Sequence, residues 1–492
     1  MAHGSAAYEL LLCALLGLMA AGRLWLVPGY FRADTWLALT AGRDVWTSGV
    51  PRYETLTALA SGERWIDQQW LAHLATYGLY RVGGFGLIGA LSVVLAATSF
   101  AAVCVAAWRW GARARSLLVL MPVTAFPFFA QSWQPRTQMF AYPLFAAVFL
   151  ILLRDARRPS ARVLLVFPVL AVWANVHGSA FLGAALISLR GGVLLWERRH
   201  ALGRLRAWPM PLILTALPPA VLLLTPYGIG TAGYYRNTLL DGSFKALATE
   251  WQPITHDPIL IGPFVAVLAL TGWTLLRARP NTSVWERLAL IVVLAAAATA
   301  VRNMVWLTLG ALPVLVIAVD RIVPADPPPS AVSSSVNRTL AAVAAVALIV
   351  ALGVTLARPT SRFELAYPQS YLDAVHRAAT IDPESRIVAD VGDADWLLWR
   401  DPSLRGRIAF DARLELLSAS GVHDIGSLLR GDRAASSLRD ASLRIFALDR
   451  RTAAPTVRRL EAADGRRILF ADRTRIVILL TRPASPERAE AR

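Results

Sequence analysis

Lysine is almost missing from this chain. Of 50 cationic residues only Lys245 is a lysine, and the others are arginine. Charge of either sign is scarce. Charged residues make up 17% and hydrophobic residues 56%, with a mean hydropathy of +0.48. A soluble globular chain carries roughly a quarter charged residues, so that class is excluded. Cysteine is nearly absent as well. Cys13 and Cys104 both lie inside apolar runs, which excludes a disulfide framework and a Cys-x-x-Cys metal site. There is no P-loop, no Rossmann fingerprint and no nucleophile–His–Asp set. The run Asp390-Val391-Gly392-Asp393-Ala394-Asp395 lacks the spacing and closing Glu of an EF-hand.

What is present is apolar length. A membrane-crossing helix needs about 20 apolar residues, and the sequence predicts about eleven spans, from Tyr8–Val27 to Leu340–Leu356. Val163–Ala174 is the shortest. Tyr8–Val27 has no small-residue cleavage site and reads as a retained span. The formal charge of +17 does not point to nucleic acid, because the arginines collect in short loops. Arg109, Arg113 and Arg115, then Arg154, Arg157, Arg158 and Arg162, then Arg198, Arg199, Arg204 and Arg206, then Arg277, Arg279 and Arg287 fall on one side when the spans are threaded alternately. By the positive-inside rule that side is cytoplasmic. The N-terminus is then inside, and everything from Arg358 onward is outside. The expected setting is a bacterial inner (cytoplasmic) membrane.

Three segments follow from this pattern. Residues 1–357 form a multi-span domain with an outer first loop at 28–84. Residues 358–482 alternate short apolar runs with helical periodicity, which predicts an extracytoplasmic α/β domain with a mostly parallel sheet. Residues 483–492 read as a disordered end. The Pro- and Ser-rich stretch Val323–Ser335 is a linker.

The outer loops carry the chemistry. The first loop holds Asp34-Thr35-Trp36 and Trp65-Ile66-Asp67-Gln68-Gln69-Trp70. Each Asp opens a run patterned as an amphipathic helix lying along the membrane surface. Each Asp reads equally as a helix N-cap and as an acidic centre. Later outer turns bring Arg136, His177 and Arg302, the last followed by Asn303. A fixed cation at headgroup depth suits a phosphate, and it also suits a snorkelling anchor. His177 reads equally as a helix-end polar residue before Gly178. The long loop adds Glu250-Trp251, an aromatic ring beside a carboxylate, which fits a sugar or an interfacial belt.

These features resemble the GT-C superfamily of polyprenyl-phosphate-dependent glycosyltransferases, and within it a bacterial group of GT-C-like membrane proteins. The resemblance rests on Asp34 with Trp36, on Trp65 to Trp70, on Pro135-Arg136, on Trp173-Ala174-Asn175-Val176-His177-Gly178, and on Asp411 with Arg413 and Glu415. It covers nearly the whole chain, and the Trp173 to Gly178 motif is its most specific piece. One departure stands out: Gln68-Gln69 occupy the place of a His-Glu pair. A second acid or metal ligand supplied by that Glu is then lacking, with Asp67 beside it as a substitute, or else activity is lost.

The resemblance implies an inverting transfer of sugar from a polyprenyl-phosphate donor to a cell-envelope acceptor. Asp34, supported by Asp67, would be the base. Arg136, His177, Arg302, Asn303, Asn175, Glu250, Trp251 and Gln69 would bind substrate. No cofactor is required, and a divalent metal on Asp34 stays open. So does a second function class, a non-enzymatic transporter or assembly subunit for envelope polymers, which calls for charged residues lining a path through the spans.

Overall fold

The computed structural model describes residues 2–198, 209–240, 243–277, 282–323, 334–431 and 442–481. Most of the expected linker, the arginines Arg199, Arg204, Arg206 and Arg279, and the expected disordered end lie outside the described residues. The chain folds as two compact units. The first comprises residues 1–30, 68–235 and 248–360, and the second residues 31–67, 236–247 and 361–492.

In the first unit every expected span coincides with a helix, and among the described residues seven helices are long and apolar enough to cross a membrane. The others are shorter. Pro209–Val221, with 13 residues, is roughly 20 Å long against an apolar bilayer thickness of about 30 Å. One expectation changes here. The second amphipathic run is not a separate surface helix. It continues into the next span as one helix, Trp70–Arg109, broken at Gly83 and Gly84. Gly84 has φ +62°, a left-handed conformation that favours a residue without a Cβ.

Close approach also builds this unit. Ala2–Leu26 runs along Ser334–Ala357, and the Thr355 hydroxyl donates to the Leu24 carbonyl at 2.9 Å. A Cβ on Gly86 would stand 2.7 Å from the Thr355 carbonyl oxygen. Small residues at helix contacts are the usual means of packing where lipid offers no hydrophobic drive. Charge within the spans is paired. Arg190, 1% exposed, donates through Nε to Asp155 at 2.8 Å.

The second unit holds a four-stranded sheet. β1 (Arg386–Ala389), β2 (Leu443–Asp449), β3 (Arg466–Ala471) and β4 (Arg475–Leu480) are ordered β1-β2-β4-β3. Only β1 and β2 are parallel; β2–β4 and β4–β3 are antiparallel. The mostly parallel expectation is therefore corrected to a mixed sheet. β3 and β4 form a closing hairpin. One short apolar run, 407–410, contributes only a bridge from Ile408 to Ile387. β3 is the exposed edge, and Arg466 and Arg467 discourage further pairing there.

The first outer loop joins this sheet unit. Helix Ala33–Ser48 buries Thr35 through Gly42 and Val45, so it is not a surface-lying helix. It packs on helix Val391–Arg400. Arg43 caps that neighbour by donating to the Leu398 and Trp399 carbonyls at 3.1 and 3.2 Å. Trp36 meets Tyr367 edge-on at 5.5 Å, and Tyr367 stacks on Trp396 at 4.9 Å. The expected boundary at 357/358 thus describes only one of the joins. Residues 31–67 leave the span unit and complete the α/β unit.

Candidate anion site in the span unit

The turn after helix Ala114–Gln131 carries Arg136 into a short 3-10 stretch, Thr137–Phe140. Another short turn, Val301–Asn303, carries Arg302 between two apolar helices. The long loop supplies Glu250 from Thr249–Trp251. A backbone bond fixes the last two together: Val301 N–H donates to the Gln252 carbonyl at 3.0 Å.

These three turns converge on one carboxylate. Arg136 Nη1 donates to Glu250 Oε2, and Arg302 Nη1 lies 2.9 Å from Oε1. Arg302 also lies 4.5 Å over the Trp251 ring, a cation–π contact that holds the guanidinium flat. Burial alone would raise the pKa of Glu250, but the two arginines outweigh it and hold the carboxyl well below its ordinary range, at about 2. Glu250 is therefore an anion throughout the physiological range.

His177 completes the group as a neutral donor. It is 6% exposed. Burial, with Arg302 and Arg136 adding to it, pushes its pKa well below the usual value. The Ser179 N–H donates to Nδ1 at 3.1 Å, so the neutral ring carries its proton on Nε2. Gly178 is needed beside it, because a Cβ there would stand 2.9 Å from the Tyr234 hydroxyl.

Other residues singled out from the sequence have different work. Asn175 spends its whole amide on structure. Its Nδ2 donates to the Ala171 and Leu224 carbonyls at 2.9 and 2.8 Å, and its Oδ1 accepts from Trp70 Nε1 at 2.8 Å. Asn303 Nδ2 donates to the Ala296 carbonyl at 2.8 Å, closing the end of helix Val284–Thr299. Gln69 accepts from the Thr137 hydroxyl, next to Arg136. Sequence reasoning passed over Tyr142, which lies within electrostatic reach of Arg136, Arg23, Arg302 and Glu250. It also passed over Gln138, two residues beyond Arg136. No motif marks either residue; the only signal is a polar side chain at the mouth of an apolar helix.

Asp34 and Asp67 belong to the other unit. Neither is an N-cap: Arg32 and Gln69 stand at the N-cap positions of Ala33–Ser48 and Trp70–Arg109, without a side-chain capping bond. Asp34 is half-buried in the first turn, and Asp67 is buried. Asp34 shares its surroundings with a second ionic group, also unforeseen. Arg413 forks onto Glu54 at 2.5 and 3.0 Å and reaches Asp411 at 2.5 and 3.0 Å. It also lies 4.3 Å over Trp65. Asp411 also accepts from the Arg413 backbone N–H at 2.8 Å, and Arg413 holds the N-cap position of the next 3-10 turn, Leu414–Leu416. Asp395 is fully buried within electrostatic reach of Asp34. Burial and Asp411 raise its pKa well above the ordinary value, against the pull of Arg413. The described residues supply no group of three or more His, Cys, Asp or Glu placed to hold a metal ion.

No protein-family model matches the chain, and no curated protein matches it. Among solved structures it is similar to ArnT from Cupriavidus metallidurans, described in a crystal structure bound to undecaprenyl phosphate. The likeness covers 94% of this chain and 97% of that one, with 14% identity and a TM-score of 0.51. It is a likeness of fold, shared over nearly the whole length of both chains.

Proposed function

We propose that this protein is an inverting membrane glycosyltransferase that takes sugar from a polyprenyl-phosphate donor on the outer face of the cytoplasmic membrane and passes it to an envelope acceptor. The observation that carries the reading is the Glu250 carboxylate held between Arg136 and Arg302. Two guanidiniums from separate turns grip one anion, with a neutral histidine alongside. Paired arginines recognise phosphate as they do carboxylate, and the ArnT of the similar structure binds undecaprenyl phosphate. In this proposal the donor phosphate exchanges with Glu250 on the two arginines.

The chemistry then balances simply. A carboxylate base takes the proton of the acceptor hydroxyl, the role that the sequence assigns to Asp34. The acceptor oxygen bonds to the anomeric carbon as the bond from that carbon to the phosphate oxygen breaks. The departing polyprenyl phosphate gains negative charge, and Arg136 and Arg302 stabilise it more than they stabilise the bound donor. Arg190, buried within the spans, is bonded to Asp155 rather than lining a path, which counts against the transporter reading.

Undecaprenyl phosphate binding to the full chain in nanodiscs tests the site. Arg136→Ala or Arg302→Ala should weaken binding at least about tenfold, each removing a charge-assisted contact. Glu250→Gln should tighten it, because the competing anion is gone. Wild-type affinity in both arginine variants, or weaker binding in Glu250→Gln, sinks the exchange. Asp34→Asn should cost about 10²–10⁴-fold in transfer while leaving that binding intact.

A further inference from the structure

Beside the arginines lie polar groups with nothing to bond to. Gln138 and Tyr142 are each 1% exposed. Neither end of the Gln138 amide, nor the Tyr142 hydroxyl, has a hydrogen-bond partner among the described residues. The two residues are four apart, one in the 3-10 turn Thr137–Phe140 and one in the first turn of Ala141–Arg157 that follows it. The tyrosine cannot easily swing to seek a partner, because its ring packs on Phe128 at 5.5 Å and on Trp306 at 5.8 Å. Ser132 Oγ, just before the same turn, is also unpartnered. Buried polar atoms are nearly always satisfied, and those that are not call for an explanation.

The donor and acceptor inventory narrows what satisfies them. A second phosphate fits poorly, because the Gln138 carbonyl oxygen would face an anion. An isoprenoid chain satisfies nothing. A neutral ligand that offers both O–H donors and oxygen acceptors fits both ends of an amide and a phenol. Tyr142 lies within electrostatic reach of Arg136 and Arg302, which puts such a ligand next to the phosphate. We propose that Gln138 and Tyr142 form the subsite for the glycosyl group of the donor and set its specificity by reading sugar hydroxyls. This rests on the assignment of the phosphate to Arg136 and Arg302.

The test compares Gln138→Leu and Tyr142→Phe with wild type as full chains in nanodiscs. The probes are undecaprenyl phosphate and its hexosyl, N-acetylhexosaminyl and pentosyl derivatives. At least one glycoside should bind wild type about tenfold more tightly than the bare lipid, the gain from a few neutral hydrogen bonds. Each variant should lose about three- to tenfold of that advantage and bind the bare lipid as wild type does. The unliganded variants should melt at or above the wild-type temperature, since the polar atoms removed have no protein partner. A fall of several degrees, an advantage kept in both variants, or no glycoside preference in wild type overturns the subsite. The phosphate assignment fails separately, if the bare lipid ignores Arg136→Ala and Arg302→Ala. The ratio of glycoside to bare lipid still reports on Gln138 and Tyr142 in that case.

Discussion

His177 shows how one buried ring responds to the charges around it. Burial, Arg302 and Arg136 lower its folded pKa, while the unfolded chain protonates a histidine near pH 6.5. The folded state therefore binds fewer protons. Its neutral ring favours folding fully above about pH 6.5, and that contribution is lost as pH falls. Thermal melts of the purified protein should show wild type losing stability below that pH faster than His177→Gln, by up to about 1.4 kcal/mol per pH unit. Parallel curves for the two proteins would mean the ring is not held neutral. At this scale the sequence was partly legible. Arg136, Arg302, His177 and Glu250 stood out because ions are rare in this chain. Their convergence on Glu250 was not legible, because the three turns are far apart in sequence. Asn175 and Asn303 misled because an amide at a helix end looks the same whether it binds a ligand or closes the helix.

Among elements, the Arg413 group carries the sharpest expectation. Arg413, Glu54 and Asp411 are all at most 5% exposed. Replacing the arginine leaves two carboxylates buried without their cation, which costs about 3–5 kcal/mol. Arg413→Leu should thus lower the melting temperature steeply, and more than Asp411→Ala, which leaves the Glu54 fork in place. An Arg413→Leu protein as stable as wild type would show that the network is dispensable. Hydropathy made the spans legible because length and composition alone define them. It could not show that helix Ala33–Ser48 is buried on nearly every side. Its apolar stripe suits a lipid surface as well as a protein one, and the choice is made by Val391–Arg400, far away in sequence. Glu54 left no trace because a lone acid in a polar loop has no pattern until its arginine is found.

For the whole molecule, the arginine-rich loops predict orientation. A reporter fused after Arg157 should be cytoplasmic, and one fused after Arg358 should lie on the opposite side. A cytoplasmic C-terminal fusion would remove the outer-face setting on which the proposed transfer depends.

The discontinuous make-up of the α/β unit also sets a timetable for biogenesis. Residues 31–67 emerge from the ribosome early, yet Tyr367, which packs on Trp36, and helix Val391–Arg400, which packs on Ala33–Ser48, come only after Ser361. Through synthesis of all the intervening spans this helix waits with its apolar side unmet, a state prone to chaperone capture and proteolysis. A chain stopped at Ala357 should therefore be cleared from the membrane quickly even though all its spans are complete. Pulse-chase of that truncation beside the full chain measures the difference, and equal half-lives would show that the early helix finds shelter elsewhere. On this timetable the segment from Ser361 onward acts as the signal that releases the early helix from surveillance, since Ala33–Ser48 is fully covered only once that segment has been made.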